Sequence, residues 1–196
     1  MGCTESKVDL MSQDVAIVAS CESNGTTSVQ DMSDEHFSQG QKTLLRETWA
    51  LVDGENHGIA IFIKIFDRKP TAKQFFPFKD LSGPDLLNNV TFRVHAKRFM
   101  HAIGTTVKNL DALDVALIPI LHRLGESHQW IQGFQQEFLP VFMEAILDVI
   151  VQELGENCTD EVRAAWIHLG TFLSTKLIEG YTLHSQKRKG TTIKDS

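Results

Sequence analysis

The sequence predicts an all-α protein with one core of about seven or eight helices built around an interior pocket. Three observations carry this. Apolar residues recur at i, i+3, i+4 and i+7 in successive stretches from residue 38 to about 183. No period-2 alternation of useful length occurs, and no internal repeat of 20–50 residues is present. Two histidines, His95 and His128, fall on apolar stripes of different helices. The chain divides into an acidic N-terminal extension (1–37) expected to be disordered, a helical domain (38–183) and a basic tail (184–196) expected to be solvated and frayed.

The helices follow in order. Leu44, Leu45, Thr48, Trp49 and Val52 mark one face of a first helix that stops near Asp53-Gly54. Ile59, Phe62, Ile63 and Phe66 mark a second, closed by Pro70. Phe75-Phe76-Pro77-Phe78 is an aromatic connection that needs a large flat surface to pack on. Residues 79–89 read as a loop with one helical turn. A helix over about 90–109 carries Phe92, His95, Phe99 and Ala102/Ile103 inward, with His101 turned away from that stripe. Leu117, Leu121, Leu124 and His128 form the stripe of a short helix that Pro119 opens. A linker with Trp130 and Gly133 leads to a long helix over about 136–154, broken by Gly155. A last helix starts after Thr159 and is expected to end near Gly180-Tyr181.

Composition removes several function classes. The 196 residues are 42% hydrophobic with a net charge of −6, which speaks against a nucleic-acid partner. No apolar run approaches the ~18 residues that span a bilayer. Three scattered cysteines, Cys3, Cys21 and Cys158, read as reduced thiols and contain no Cys-x-x-Cys or Cys-x-x-Cys-His motif. Met1-Gly2-Cys3-Thr4-Glu5-Ser6 fits the pattern for N-myristoylation of Gly2, with Cys3 beside it for a palmitoyl chain. Two acyl chains give the stable anchoring that one does not. The expected address is therefore cytoplasmic, on the inner face of a membrane.

Inward histidines His95 and His128, with Phe62, Phe76 and Phe99 facing the same interior, suit a planar aromatic cofactor with an axial metal position. Haem iron on a histidine meets that description, and zinc meets it less well because no third or fourth ligand is evident.

At this point the sequence resembles the globin family over about 145 residues. The residues that carry the resemblance are Trp49 late in the first helix, Gly58 to Phe66 followed by Pro70, Phe76 six residues on, Phe92-x-x-His95, Leu124-x-x-x-His128 and Arg163-Ala-Ala-Trp166. It is nearest in flavour to intracellular nematode-type and neuroglobin-like globins. The resemblance implies non-covalent haem b, with His128 the proximal ligand and His95 the distal residue or sixth ligand. It implies Phe76 stacked on the porphyrin, Phe62 and Phe99 walling the distal side, and Leu124 the proximal side. Arg98 or Lys97 would face a propionate.

Three functions stay open on the sequence. One is binding of O2 or another diatomic ligand, for storage, transport or, given the lipid signal, sensing or redox signalling. The second is a bis-histidine haem that transfers electrons or acts as a weak peroxidase. The third is a globin fold without haem serving as an interaction module.

Overall fold

A computed structural model describes residues 36–191, as backbone alone from residue 184. The described residues form helices and turns without strands. Helix α1 spans Gln39–Val52. Ser38 opens it: its Oγ accepts from the Gln41 N–H (3.2 Å), and the Gln41 side chain accepts in return from the Ser38 N–H (3.0 Å). The buried face holds Leu45, Thr48, Trp49 and Val52, as the periodicity requires, and also Lys42. The Lys42 stem is buried, and its ammonium reaches the Asp111 carboxylate at 3.2 Å.

Helix α2 is Glu55–Arg68. Its buried stripe is Gly58, Ile61, Phe62, Ile65 and Phe66; the expected Ile59 and Ile63 are only half-buried. Gly58 explains the rotation. A Cβ there would press on the Met100 side chain and the Ala96 carbonyl, so the hydrogen atom brings the next long helix close. Pro70 opens a 3-10 turn over Pro70–Phe75. A single turn, α3 (Gly83–Leu87), precedes α4 (Val90–Lys108), which Asn89 caps by accepting from the Phe92 N–H at 2.9 Å.

A π-type turn at Leu113–Leu117 runs into α5, Ile118–His128. A 3-10 turn, Gln136–Phe138, enters α6, Leu139–Leu154. Pro119 and Pro140 stand in the first turns of α5 and α6, where a missing N–H costs nothing. Gly155, at φ +52°, supplies the left-handed residue that ends α6. Helix α7, Asp160–Thr191, starts at Thr159, whose Oγ1 accepts from the Val162 N–H at 3.3 Å. Val162, Ala165, Trp166, Leu169, Phe172, Leu173 and Leu177 form its buried face.

Two expectations are corrected here. The packed domain starts before residue 38: Phe37 is 1% exposed, with its ring 4.6 Å from His168 and 5.5 Å from Phe172. The last helix also does not end at Gly180, nor does the backbone fray at residue 184; it stays helical to Thr191. Gly180 is a crossing point. A Cβ on Gly180 would overlap the His122 carbonyl, and one on Gly125 would overlap the Leu177 carbonyl. The two glycines let α5 and α7 meet backbone to backbone. Across the core, Trp166 Nε1 donates to Thr48 Oγ1 at 2.9 Å, tying α7 to α1. Among the described residues no helix is long and apolar enough to cross a membrane. Gly2 and Cys3 lie outside the described residues.

Candidate functional site

Helices α4 and α5 each carry one histidine to a common cavity. His128 is the last residue of α5 and 7% exposed. Its Nδ1 lies 2.7 Å from the Leu124 carbonyl oxygen, one turn back. A carbonyl only accepts, so Nδ1 carries the proton and donates. Burial holds the imidazole below its ordinary pKa, against the smaller opposite pull of that hydrogen bond. The ring is therefore neutral, and Nε2, across the ring from the bonded nitrogen, keeps its lone pair. The Phe134 ring rests 4.8 Å from the imidazole. Ser127 Oγ donates to the same Leu124 carbonyl at 2.7 Å.

His95 is half-buried at the cavity wall, on α4. Burial, then the positive charge of Arg98, then His128, bring its pKa down to about 4. Aromatic edges surround it. Its ring centroid lies 5.1 Å from Phe62 at 69° and 5.0 Å from Phe76 at 71°. Phe62 is 5.2 Å from Phe99 and 5.8 Å from Phe76, and Phe76 stacks on Phe78 at 5.1 Å and 13°. Edge-to-face pairs of this kind add about 0.5–1.5 kcal/mol each beyond their burial, so the collar is held by many small terms.

The cavity between these groups has a volume of about 130 Å³. Its wall is predominantly apolar with a few polar groups, the lining of a ligand or cofactor site. The residues expected at the site, Phe62, Phe76, His95, Arg98, Phe99, Leu124 and His128, all line it. His95, Arg98, Thr106 and His128 are the side chains that bring polar atoms to its wall. The Thr106 hydroxyl is committed to the Ala102 carbonyl (3.1 Å). Arg98 is exposed at the rim. Lys97, the other residue considered for that role, is exposed but not in the wall.

Sequence reasoning did not assign Phe75, Phe134, Phe142 or Met143 to the wall, and all four line it. Phe142 lies on α6, one turn before the buried Ile146. Phe134 sits in a linker without periodicity, and only its aromaticity after Gly133 marks it.

The family comparison agrees with this arrangement. The globin family model matches residues 59–177. Cytoglobin-2 of Danio rerio is 31% identical over 153 residues, covering 76% of this chain and 84% of the relative. Neuroglobin of Danio rerio is 26% identical over 159 residues, covering 79% and 98%. A hexacoordinated haem protein of an anhydrobiotic tardigrade aligns with a TM-score of 0.69 at 22% identity, over 74% of this chain and 95% of that one. A Drosophila melanogaster globin aligns at 0.64 and 23% identity, over 72% and 93%. The chain belongs to the globin family, and its fold is the all-α globin fold.

Globins are haem proteins, so haem is the group implied for the cavity. Among the described residues no cluster of three or more His, Cys, Asp or Glu could hold a bare metal ion. Two neutral imidazoles at an apolar cavity instead suit a metal that brings its own equatorial nitrogens. The residues present fit the group.

Proposed function

We propose that this globin holds non-covalent haem b between His128 and His95 and binds O2 or another diatomic gas. The observation that carries the reading is the Nδ1–H bond of His128 to Leu124, which leaves a neutral Nε2 donor at the wall of an apolar cavity. Haem, when bound, would supply an iron open to ligands from the protein and from a gas, with a reversible ferrous–ferric couple.

In this reading His128 is the proximal ligand, and Leu124 its neighbouring wall. Phe76 stacks against the porphyrin, Phe62 and Phe99 limit the distal volume, and Arg98 faces a propionate. His95 is neutral at physiological pH, with one ring nitrogen bearing a proton and the other a lone pair. The proton can be donated to a bound gas; the lone pair can occupy the sixth position. The tight aromatic collar on the His95 ring favours the second use, which makes a bis-histidine, electron-transferring or weakly peroxidatic haem the second reading.

Lipid placement completes the proposal. A myristoyl group on Gly2 and a palmitoyl group on Cys3 tether the protein to the inner face of a membrane, where a gas-sensing or redox-signalling role gains from a fixed address. Gly2→Ala shifts a cellular pool from the membrane fraction to the cytosol; equal membrane association sinks the tether.

The absorption spectrum of the ferrous, gas-free protein tests the haem reading. One broad visible band means a free distal His95 and favours gas binding. Two sharp bands mean His95 on the iron. His128→Ala loses haem or holds it weakly; full retention with an unchanged spectrum overturns the proximal role, and no haem uptake by the wild type leaves the interaction module.

A further inference from the structure

Helix α4 has an outer face as unusual as its inner one. It carries four bases, Arg93, Lys97, Arg98 and Lys108, and no acid. Val90 and Val94, one turn apart, are 73% and 41% exposed, and Leu87 at the end of α3 is 39% exposed. Val90 and Val94 share a face of α4 that runs on to Lys97 one turn further, and Leu87 closes the preceding turn, α3. Acids on the adjoining elements include Glu55 of α2, paired with Arg93 at 2.6 Å, and Asp85 of α3.

The complement lies in the same chain. Residues 1–35 hold seven acids and one base, leaving eighteen of each sign to the remainder. Their one apolar run is Val15–Ala19, bounded by Asp14 on one side and Glu22 on the other. We infer that residues 14–22 dock on the outer face of α4. The Val15–Ala19 run covers Leu87, Val90 and Val94, and one of its flanking acids lies at Lys97.

Reach permits docking on a neighbouring face. Residues 23–35 extend to about 3.3 Å each, roughly 40 Å in all, which spans a quarter turn around a domain whose radius of gyration is about 15 Å. A flexible tether of that length gives an effective concentration on the order of millimolar, so modest contacts suffice. An anionic lipid surface is the competing occupant. Seven acids beside the acylation site are repelled by such a surface and neutralised by α4. Because Arg98 stands at the cavity rim on the same helix, the docked segment borders the entrance. None of this depends on the bound cofactor.

The test uses the full, unacylated chain with the photoreactive p-benzoylphenylalanine in place of Val90. After irradiation and trypsin digestion, fragment masses assign the crosslink to residues 14–22 of the same molecule. Ile17→Glu with Val18→Glu lowers the yield roughly tenfold. An unchanged yield in that double variant overturns the docking, as do crosslinks only between two copies. A third overturning result hands the face to lipid. There, no intrachain crosslink forms in buffer, and Val90→Glu with Val94→Glu abolishes sedimentation with phosphatidylcholine–phosphatidylserine vesicles.

Discussion

Phe75 and Phe76 are neighbours in the chain, yet they serve different histidines. Phe76 meets His95 at 5.0 Å, whereas Phe75 meets Phe134 at 5.5 Å, and Phe134 lies on His128. One aromatic dipeptide thus packs against both sides of the cavity. Phe76, 7% exposed, is the more deeply buried. Phe76→Ala should cost about 3 kcal/mol in urea unfolding, the low end for a buried phenylalanine. Half-buried Phe75→Ala should cost about half as much. Of the two, only Phe76→Ala should move the His95 ring proton signals.

The glycine crossing gives a prediction whose sign separates two effects. Gly→Ala inside a solvent-facing helix stabilises by about 1 kcal/mol. At Gly125 and Gly180 the added methyl meets a backbone carbonyl, which cannot step aside as a side chain tip can. Each Gly→Ala variant should instead lose about 2–3 kcal/mol or more, as overpacking does. A thermal melt reads this directly, and a raised midpoint in either variant refutes the close crossing.

Tyr181 donates from its hydroxyl to the Phe134 carbonyl at 3.1 Å. Tyr181→Phe removes one hydrogen bond and little volume, so it should cost about 1 kcal/mol. Faster amide exchange should be confined to residues 131–135; uniform acceleration across the domain contradicts a local role.

Asp111 accepts from Arg46 at 2.6 Å and lies 3.2 Å from the Lys42 ammonium. Partial burial works to raise its pKa, but the hydrogen bonds and charges of Arg46 and Lys42 outweigh that and hold it below the ordinary 3.8. As pH falls, the unfolded chain therefore takes the proton first. The stabilisation is complete above pH 3.8 and is lost as pH drops through the lower folded value. Asp111→Asn should cost about 1 kcal/mol at neutral pH, because the carboxylate is half-exposed. It should also flatten the acid limb of the stability curve, which a denaturant series from pH 7 to about 2 follows.

Helix existence and the two histidine stripes were legible because burial imposes the 3.6 period on long segments. The elements missed are those where a single residue breaks that rule. Gly180 looked like a helix end because glycine usually disfavours a helix interior, and nothing local records that another backbone needs the space. Phe37 sits beyond the polar cap at Ser38, so its burial against Phe172 is visible only in three dimensions. The Ile59 and Ile63 stripe was off by a rotation that Gly58 and the approach of α4 decide. Phe134 belongs to the cavity through loop geometry, including Gly133 at φ +81°, which carries no periodic signature.

The α5–α7 crossing has a mechanical consequence. A helix notched into its neighbour at two carbonyls has no room to ratchet or slide, since any axial shift drives backbone into backbone. The element that ends in His128 is therefore a fixed stator. A displacement at the cavity therefore falls on the parts that can yield, the rings of Phe62, Phe76 and Phe99 around His95.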